Sequence, residues 1–125
     1  MDVTGSEEHK CDELHEVIGR IGDRWTLRVT IALRAAPLRF NQIRRAVSGI
    51  SQQMLTRTLK TLERDGMVTR TVYPTVPPQV EYALTPLGQS LVAEGLRLGA
   101  WAETHLGEID LNRATYDHGK DNGAG

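Results

Sequence analysis

Residues 50–70 read ISQQMLTRTLKTLERDGMVTR, and the rest of the chain can be interpreted outward from them. Ile50, Met54, Leu55, Leu59 and Leu62 recur at helical spacing and form one apolar stripe. The opposite face carries Gln52, Gln53, Thr56, Arg57, Lys60 and Arg64. Its three cations stand without an acid, beside amides and a hydroxyl, whereas solvated helix faces usually interleave both signs. Ser51 is suited to the N-cap, and Gly66 to the left-handed position after the last turn. Past Gly66 the period changes from helical to alternating, with Val68 and Val72 set against Thr69 and Thr71.

The flanking segments extend this pattern. Upstream, Asn41 can cap a short helix, QIRRAV, and SGI makes a turn, so two helices are joined by about four residues around Gly49. LRF before it reads as a short extended link. DRWTLRVTIALRAA, ending at Ala36, is apolar on most sides and reads as a mostly buried helix that Asp23 caps and Pro37 stops. CDELHEVIGR begins an earlier helix, with Asp12 and Glu13 in its first turn. Downstream, MVTRTVY and QVEYALT read as a hairpin around the proline-stiffened PTVPP. Thr85 and Pro86 then start a long helix with Leu87, Leu91, Leu98, Ala102, His105 and Ile109 on one face. Residues 1–10 read as a disordered lead, 11–110 as one domain and 111–125 as a flexible tail. No internal repeat and no second domain is apparent in the sequence.

Composition bounds the function. The 125 residues are 39% hydrophobic and 25% charged, an ordinary globular balance for one modest core. No apolar run approaches the roughly 18 residues that a membrane span needs. The polar start, MDVTGSEEHK, lacks the apolar centre of a secretion signal, and the single Cys11 fits a reducing compartment, so a cytoplasmic protein is expected. The net charge of −1 conceals a division: residues 20–70 hold eleven cations and three acids, a local +8, and the remainder sums to −9. Such a block attracts a polyanion although the pI near 6.4 suggests none.

Helix, helix–turn–helix and then a hairpin is the order of a winged helix-turn-helix: mainly α, with a small β-hairpin wing and extra N- and C-terminal helices. One helix fits the major groove of double-stranded DNA, where amides and hydroxyls read base edges and cations grip phosphates. Ser51, Gln52, Gln53, Thr56 and Arg57 lie at the reading end, and Lys60 and Arg64 further along. Arg39, Asn41, Arg44 and Arg45 flank the backbone from the preceding helix, and Gln79 stands at the wing. On the last helix Gly95 and Gly99 permit close backbone approach. Leu98, Trp101 and Leu106 exceed what a monomer this small readily hides, so a homodimer is expected.

From Cys11 to about Leu91 the chain also closely resembles the HxlR-type bacterial winged-helix transcription regulators, fold relatives of the MarR regulators. The matching residues are Cys11, IGDRW (21–25) and PLRFNQIRRAVSGISQQMLTRTLKTLERDGMVTRTVYPTVPPQVEYALTPLG (37–88). The resemblance implies a homodimer joined through its N- and C-terminal helices. It implies a near-palindromic operator close to target promoters, with residues 51–64 in the major groove. It also suggests a sensing role for Cys11, which occupies the place of the one N-terminal cysteine through which several family members sense electrophiles, quinones or oxidants. The local chemistry of Cys11 is mixed: a helix start and a protonated His15 favour a thiolate, whereas Glu7, Glu8, Asp12, Glu13 and Glu16 disfavour it. An inert cysteine packed at the dimer seam is the other reading.

Two alternatives use the same fold: a ligand-responsive regulator with a pocket beside Trp25 and Trp101, and an interaction module that has lost DNA binding. The basic block argues against the second. Scattered His9, His15, His105 and His118 lack zinc-site spacing, and there is no phosphate loop, no nucleophile elbow and no carboxylate pair in a cleft-forming frame. No enzyme activity, metal or cofactor is expected.

Two positions depart from the family pattern: Gln53 and Gln79 stand where relatives often carry Arg or Lys. The wing tip YPTVPPQ therefore has no cation, and its contact should be packing rather than electrostatic. Gln79→Arg is expected to tighten binding to any duplex, operator or scrambled, in a mobility-shift titration; unchanged affinity would remove this reading of the wing.

Overall fold

The computed structural model describes the backbone of residues 3–123, which form α1 (Val3–Ile21), α2 (Arg24–Ala32), β1 (Leu38–Arg39), α3 (Phe40–Ala46), α4 (Gln52–Arg64), β2 (Val68–Tyr73), β3 (Gln79–Leu84) and α5 (Pro86–Gly123). The chain divides into two compact units, residues 1–93 and 94–125.

In the first unit the core is the meeting of α2, α3, α4 and the start of β2. Val29, Leu33, Ile43, Val47, Ile50, Leu55, Leu59, Leu62 and Val68 are all buried, with Trp25, Met54 and Met67 packed against them. Each fully buried Leu or Ile contributes about 1.5–3 kcal/mol, so the stripe along α4 outweighs any preference of its polar face. Ser51 Oγ accepts the Met54 N–H at 3.1 Å, capping α4 as expected. Ile50 precedes the cap instead of lying in the helix; it and Leu55 are both buried, which staples the entering chain. At the other end the Gly66 N–H donates to Glu63 O at 3.0 Å and the Met67 N–H to Leu62 O at 2.9 Å. This double closure requires the φ of +75° that Gly66 adopts without strain.

That turn is tied to α5. Thr85 donates its N–H to Met67 O and its hydroxyl to Gly66 O, while Thr85 Oγ1 accepts the Gly88 N–H at 3.1 Å and caps the helix. Gly88 packs so closely on Met67 that a Cβ there would fall on the Met67 carbonyl oxygen.

Several boundaries differ from those expected. The extended link Leu38–Arg39 is a strand, β1, pairing Leu38 with Tyr82 and Arg39 with Glu81, so the wing is a three-stranded antiparallel sheet of order β1-β3-β2. Asn41 does not cap α3: Arg39 holds that position, and its N–H donates to Gln42 Oε1 at 2.8 Å. α2 stops at Ala32, not Ala36: the Leu33 N–H is shared between Val29 O and Thr30 O and the Arg34 N–H donates to Ile31 O, so the last turn tightens and closes the helix. Val68 is buried, whereas Val72 is 50% exposed, because β2 runs out beyond the core. α1 begins at Val3 and α5 runs to Gly123, past the expected limits at residues 11 and 110, because adding residues to a formed helix costs far less than nucleating one. Asp12 and Glu13 are therefore not in a first turn. Met1, Asp2, Ala124 and Gly125, which belong to the expected lead and tail, lie outside the described residues.

The second unit is the helical stretch of α5 from Glu94. Its described surface exposes Leu96, Leu98, Trp101, Leu106, Leu111 and Tyr116. His105 stacks on Trp101 with ring centroids 4.6 Å apart, its Nδ1 2.7 Å from Trp101 O. Among the described residues no helix is long and apolar enough to cross a membrane.

Gly88→Ala is expected to lower stability by about 1–3 kcal/mol, because the new methyl must displace backbone and not a flexible side chain. Urea denaturation followed by circular dichroism measures it, and an unshifted midpoint would show that this junction gives way freely.

Candidate nucleic-acid interface

Burying Leu55, Thr58, Leu59 and Leu62 turns the other side of α4 outward, and Gln52, Gln53, Thr56, Arg57, Lys60 and Arg64 are all exposed. Ser51 and its hydroxyl position the helix start, whose Gln52 and Gln53 N–H groups have no acceptor in the helix's own ladder. Thr56 donates its hydroxyl to Gln52 O at 2.9 Å, so it presents a lone pair and a methyl group outward.

Three neighbouring clefts bring the expected site residues together. The first, of about 460 Å³, joins the start of α3 to the base of the wing and is lined by Arg39, Asn41, Arg45 and Gln79, with Pro78 and Val80. The second shares Asn41 and Arg45 and adds Arg44 and the α3–α4 turn at Gly49 and Ile50. The third, of about 490 Å³, separates α4 from the sheet and is lined by Gln52, Thr56, Lys60, Glu63 and Arg70, over Phe40, Leu59 and Tyr82. Phe40 borders the first and the third, so α3, α4 and the wing share one continuous surface. Among its lining side chains Glu63 is the only carboxylate, against Arg39, Arg44, Arg45, Lys60 and Arg70.

Not every expected residue joins these clefts. Arg57 lines a groove on the other flank of α4, opposite Glu16, Gly19 and Asp23. Gln53 and Arg64 are exposed but border none of the three. Cys11 is exposed on α1, several residues past its first turn and not at a helix start as expected. A separate cleft of about 330 Å³ is lined by Glu13, Glu16, Val17, Thr26, Leu62, Asp65, Met67 and Leu91; neither Trp25 nor Trp101, the expected pocket residues, borders it. Among the described residues no group of His, Cys, Asp and Glu is placed to hold a metal ion.

Arg70 and Tyr82 were not among the expected site residues. The signal was present in the alternation: Arg70 is two residues after buried Val68, so both point toward α4, and Tyr82 is its cross-strand partner. Reading the strand for its valines alone passed over the cation between them.

A capped helix with its polar face outward, a preceding helix across a Gly turn and a sheet wing beside both define a winged helix-turn-helix protein. The chain belongs to the HxlR-like helix-turn-helix family, whose model matches residues 20–110, and it is a transcriptional regulator with a helix-turn-helix domain. It is 42% identical over 94 residues, 75% of each chain, to the uncharacterized HTH-type transcriptional regulator YtfH of Escherichia coli K12. The YtfH structure from Salmonella typhimurium superposes with a TM-score of 0.70 at 39% identity, covering 80% of this chain and 89% of that one. The redox regulator HypR in its reduced form also gives a TM-score of 0.70, at 36% identity over 78% of this chain and 97% of its own.

Arg70→Gln is the test of the third cleft. In a duplex titration at several salt concentrations, a guanidinium that reaches a phosphate should reduce the magnitude of the salt slope by about 1 when removed. An unchanged slope would make Arg70 a cleft-filling side chain only.

Proposed function

We propose that this protein is a sequence-specific, DNA-binding repressor that acts as a homodimer on a near-palindromic operator in the cytoplasm. The observation that carries the reading is the continuous surface of α3, α4 and the wing, basic and rich in amides. α4 enters the major groove: Gln52, Gln53 and Thr56 reach base edges, and Gln53 is able to pair bidentately with adenine. Lys60, Arg64 and Arg57 grip phosphates along the groove walls, and Arg39, Asn41, Arg44 and Arg45 hold the backbone before α4. Gln79 and the uncharged wing tip, where Val76 is fully exposed, pack on the neighbouring minor groove.

The dimer is supported by exposed apolar side chains: Leu14, Val17 and Ile18 on α1, and Leu98, Trp101 and Leu106 on α5. Two copies then meet two half-sites about one helical turn apart. For the switch, exposed Cys11 and the likeness to the redox regulator HypR favour an oxidant or electrophile. With one cysteine per chain, a protein disulfide joins Cys11 to Cys11 of the partner subunit, and the two thiols give two electrons and two protons to the oxidant. Alkylation of Cys11 by an electrophile is the single-chain equivalent. A second reading, an organic effector, draws on the cleft beside Val17 and Leu91.

Fluorescence anisotropy with duplex from upstream of the protein's own gene tests the proposal. The reduced protein should bind it well above scrambled duplex, with affinity falling steeply as salt rises, because neutralised phosphates release counterions. A thiol oxidant should abolish binding, and Cys11→Ser should bind normally and ignore the oxidant. Absence of sequence preference and of salt dependence would overturn the DNA reading; a full oxidant response in Cys11→Ser would overturn the switch alone.

A further inference from the structure

Two cations outside the clefts share one aromatic ring. Arg24 and Arg28 lie one turn apart on α2, and their guanidinium carbons stand 4.7 Å and 5.3 Å from the centre of the Trp25 ring. Trp25 is half-buried against the core, and its Cη2 atom lies 4.0 Å from where a Cβ would stand on Gly49, in the α3–α4 turn. Gly49 in turn lines the cleft with Asn41, Arg44 and Arg45. The one ring therefore links the basic end of α2 to the edge of the surface assigned to DNA.

The α2 start is held rigidly: Asp23 accepts the Trp25 N–H at 2.9 Å and the Thr26 hydroxyl at 3.3 Å. Neither guanidinium forms an ion pair among the described residues. An arginine stacked on an aromatic face keeps its edge N–H groups free, and those edges match phosphate oxygens. Two like charges held over one ring also repel, and an anion between their edges relieves that repulsion.

We infer that Arg24 and Arg28, preorganised on Trp25, form an additional clamp for the DNA phosphate backbone, next to the α3–α4 turn. The inference rests on the DNA-binding reading above and enlarges it with a second helix. Trp25 is the positioning residue: it orients both guanidiniums and braces the turn through Gly49. Because the clamp touches phosphate only, it adds affinity without sequence preference.

The test is a salt titration of the full-length Arg24→Gln/Arg28→Gln variant on the own-gene upstream duplex and on scrambled duplex. Affinity should fall about tenfold on both, and the slope of log affinity against log salt should shrink by about 1–2. Arg28→Lys should keep the slope while weakening binding, since the charge remains and the planar fork is lost. In a Trp101→Phe background, which leaves Trp25 as the only tryptophan, emission should change as duplex binds. An unchanged slope in the double variant would overturn the clamp. If Lys60→Gln reduces the slope and the double variant does not, this inference alone fails; if the wild-type protein shows no salt dependence, the DNA reading fails with it. Should the double variant not fold, Arg24→Gln, exposed on α2, is read in the same way with a slope change of about 1.

Discussion

The burial of Leu55, Leu59 and Leu62 under Val29, Leu33, Ile43 and Val47 is the constraint on which the remainder of the molecule depends. Each of these side chains adds about 1.5–3 kcal/mol, several times what an exposed ion pair adds, so no rotation of α4 about its axis competes. With that face fixed inward, Gln52, Gln53, Thr56, Arg57, Lys60 and Arg64 have to face solvent. The exposed polar face of α4 is thus a consequence of the core.

The second constraint acts at the far end of the same helix. The Gly66–Met67 turn receives Thr85 and Gly88, so the start of α5 is joined by hydrogen bonds and close backbone packing to the end of α4. β2 leaves from this junction and β3 returns to it. The wing consequently has its base on the core and its tip in solvent, which explains why Val68 is buried while Val72 and Val76 are not. A rigid base with a projecting apolar tip suits a groove contact made by packing.

Charge then follows geometry more than composition. The described cations of residues 20–70 do not form a single patch. Arg39, Arg44, Arg45, Lys60 and Arg70 converge on the clefts of α3, α4 and the wing, Arg57 turns toward Glu16 and Asp23, and Arg24 and Arg28 gather on Trp25. Arg39, Arg44, Arg45, Arg57 and Lys60 were legible from the helix–turn–helix pattern, whereas Arg70 and the gathering of Arg24 and Arg28 were not. Those are set by which neighbour each element packs against.

Local periodicity by itself determined that α4 is amphipathic, that Ser51 and Gly66 bound it, that Thr85 opens α5, and that a hairpin follows the helix–turn–helix. Each of these depends on residues within one or two turns of one another, and a local rule decides them. Long-range pairing settled the rest. Leu38–Arg39 became a strand because β3 offered it a partner, which a two-residue link cannot reveal. Arg39 took the cap of α3 in place of Asn41 because that strand fixed its extended backbone. Arg70 entered the cleft and Val72 left the core because the sheet extends past the helices. The sequence therefore named the polar, basic face of α4, whereas the tertiary structure chose which cations stand beside it, since hydrophobic spacing is local and the convergence of charges is not.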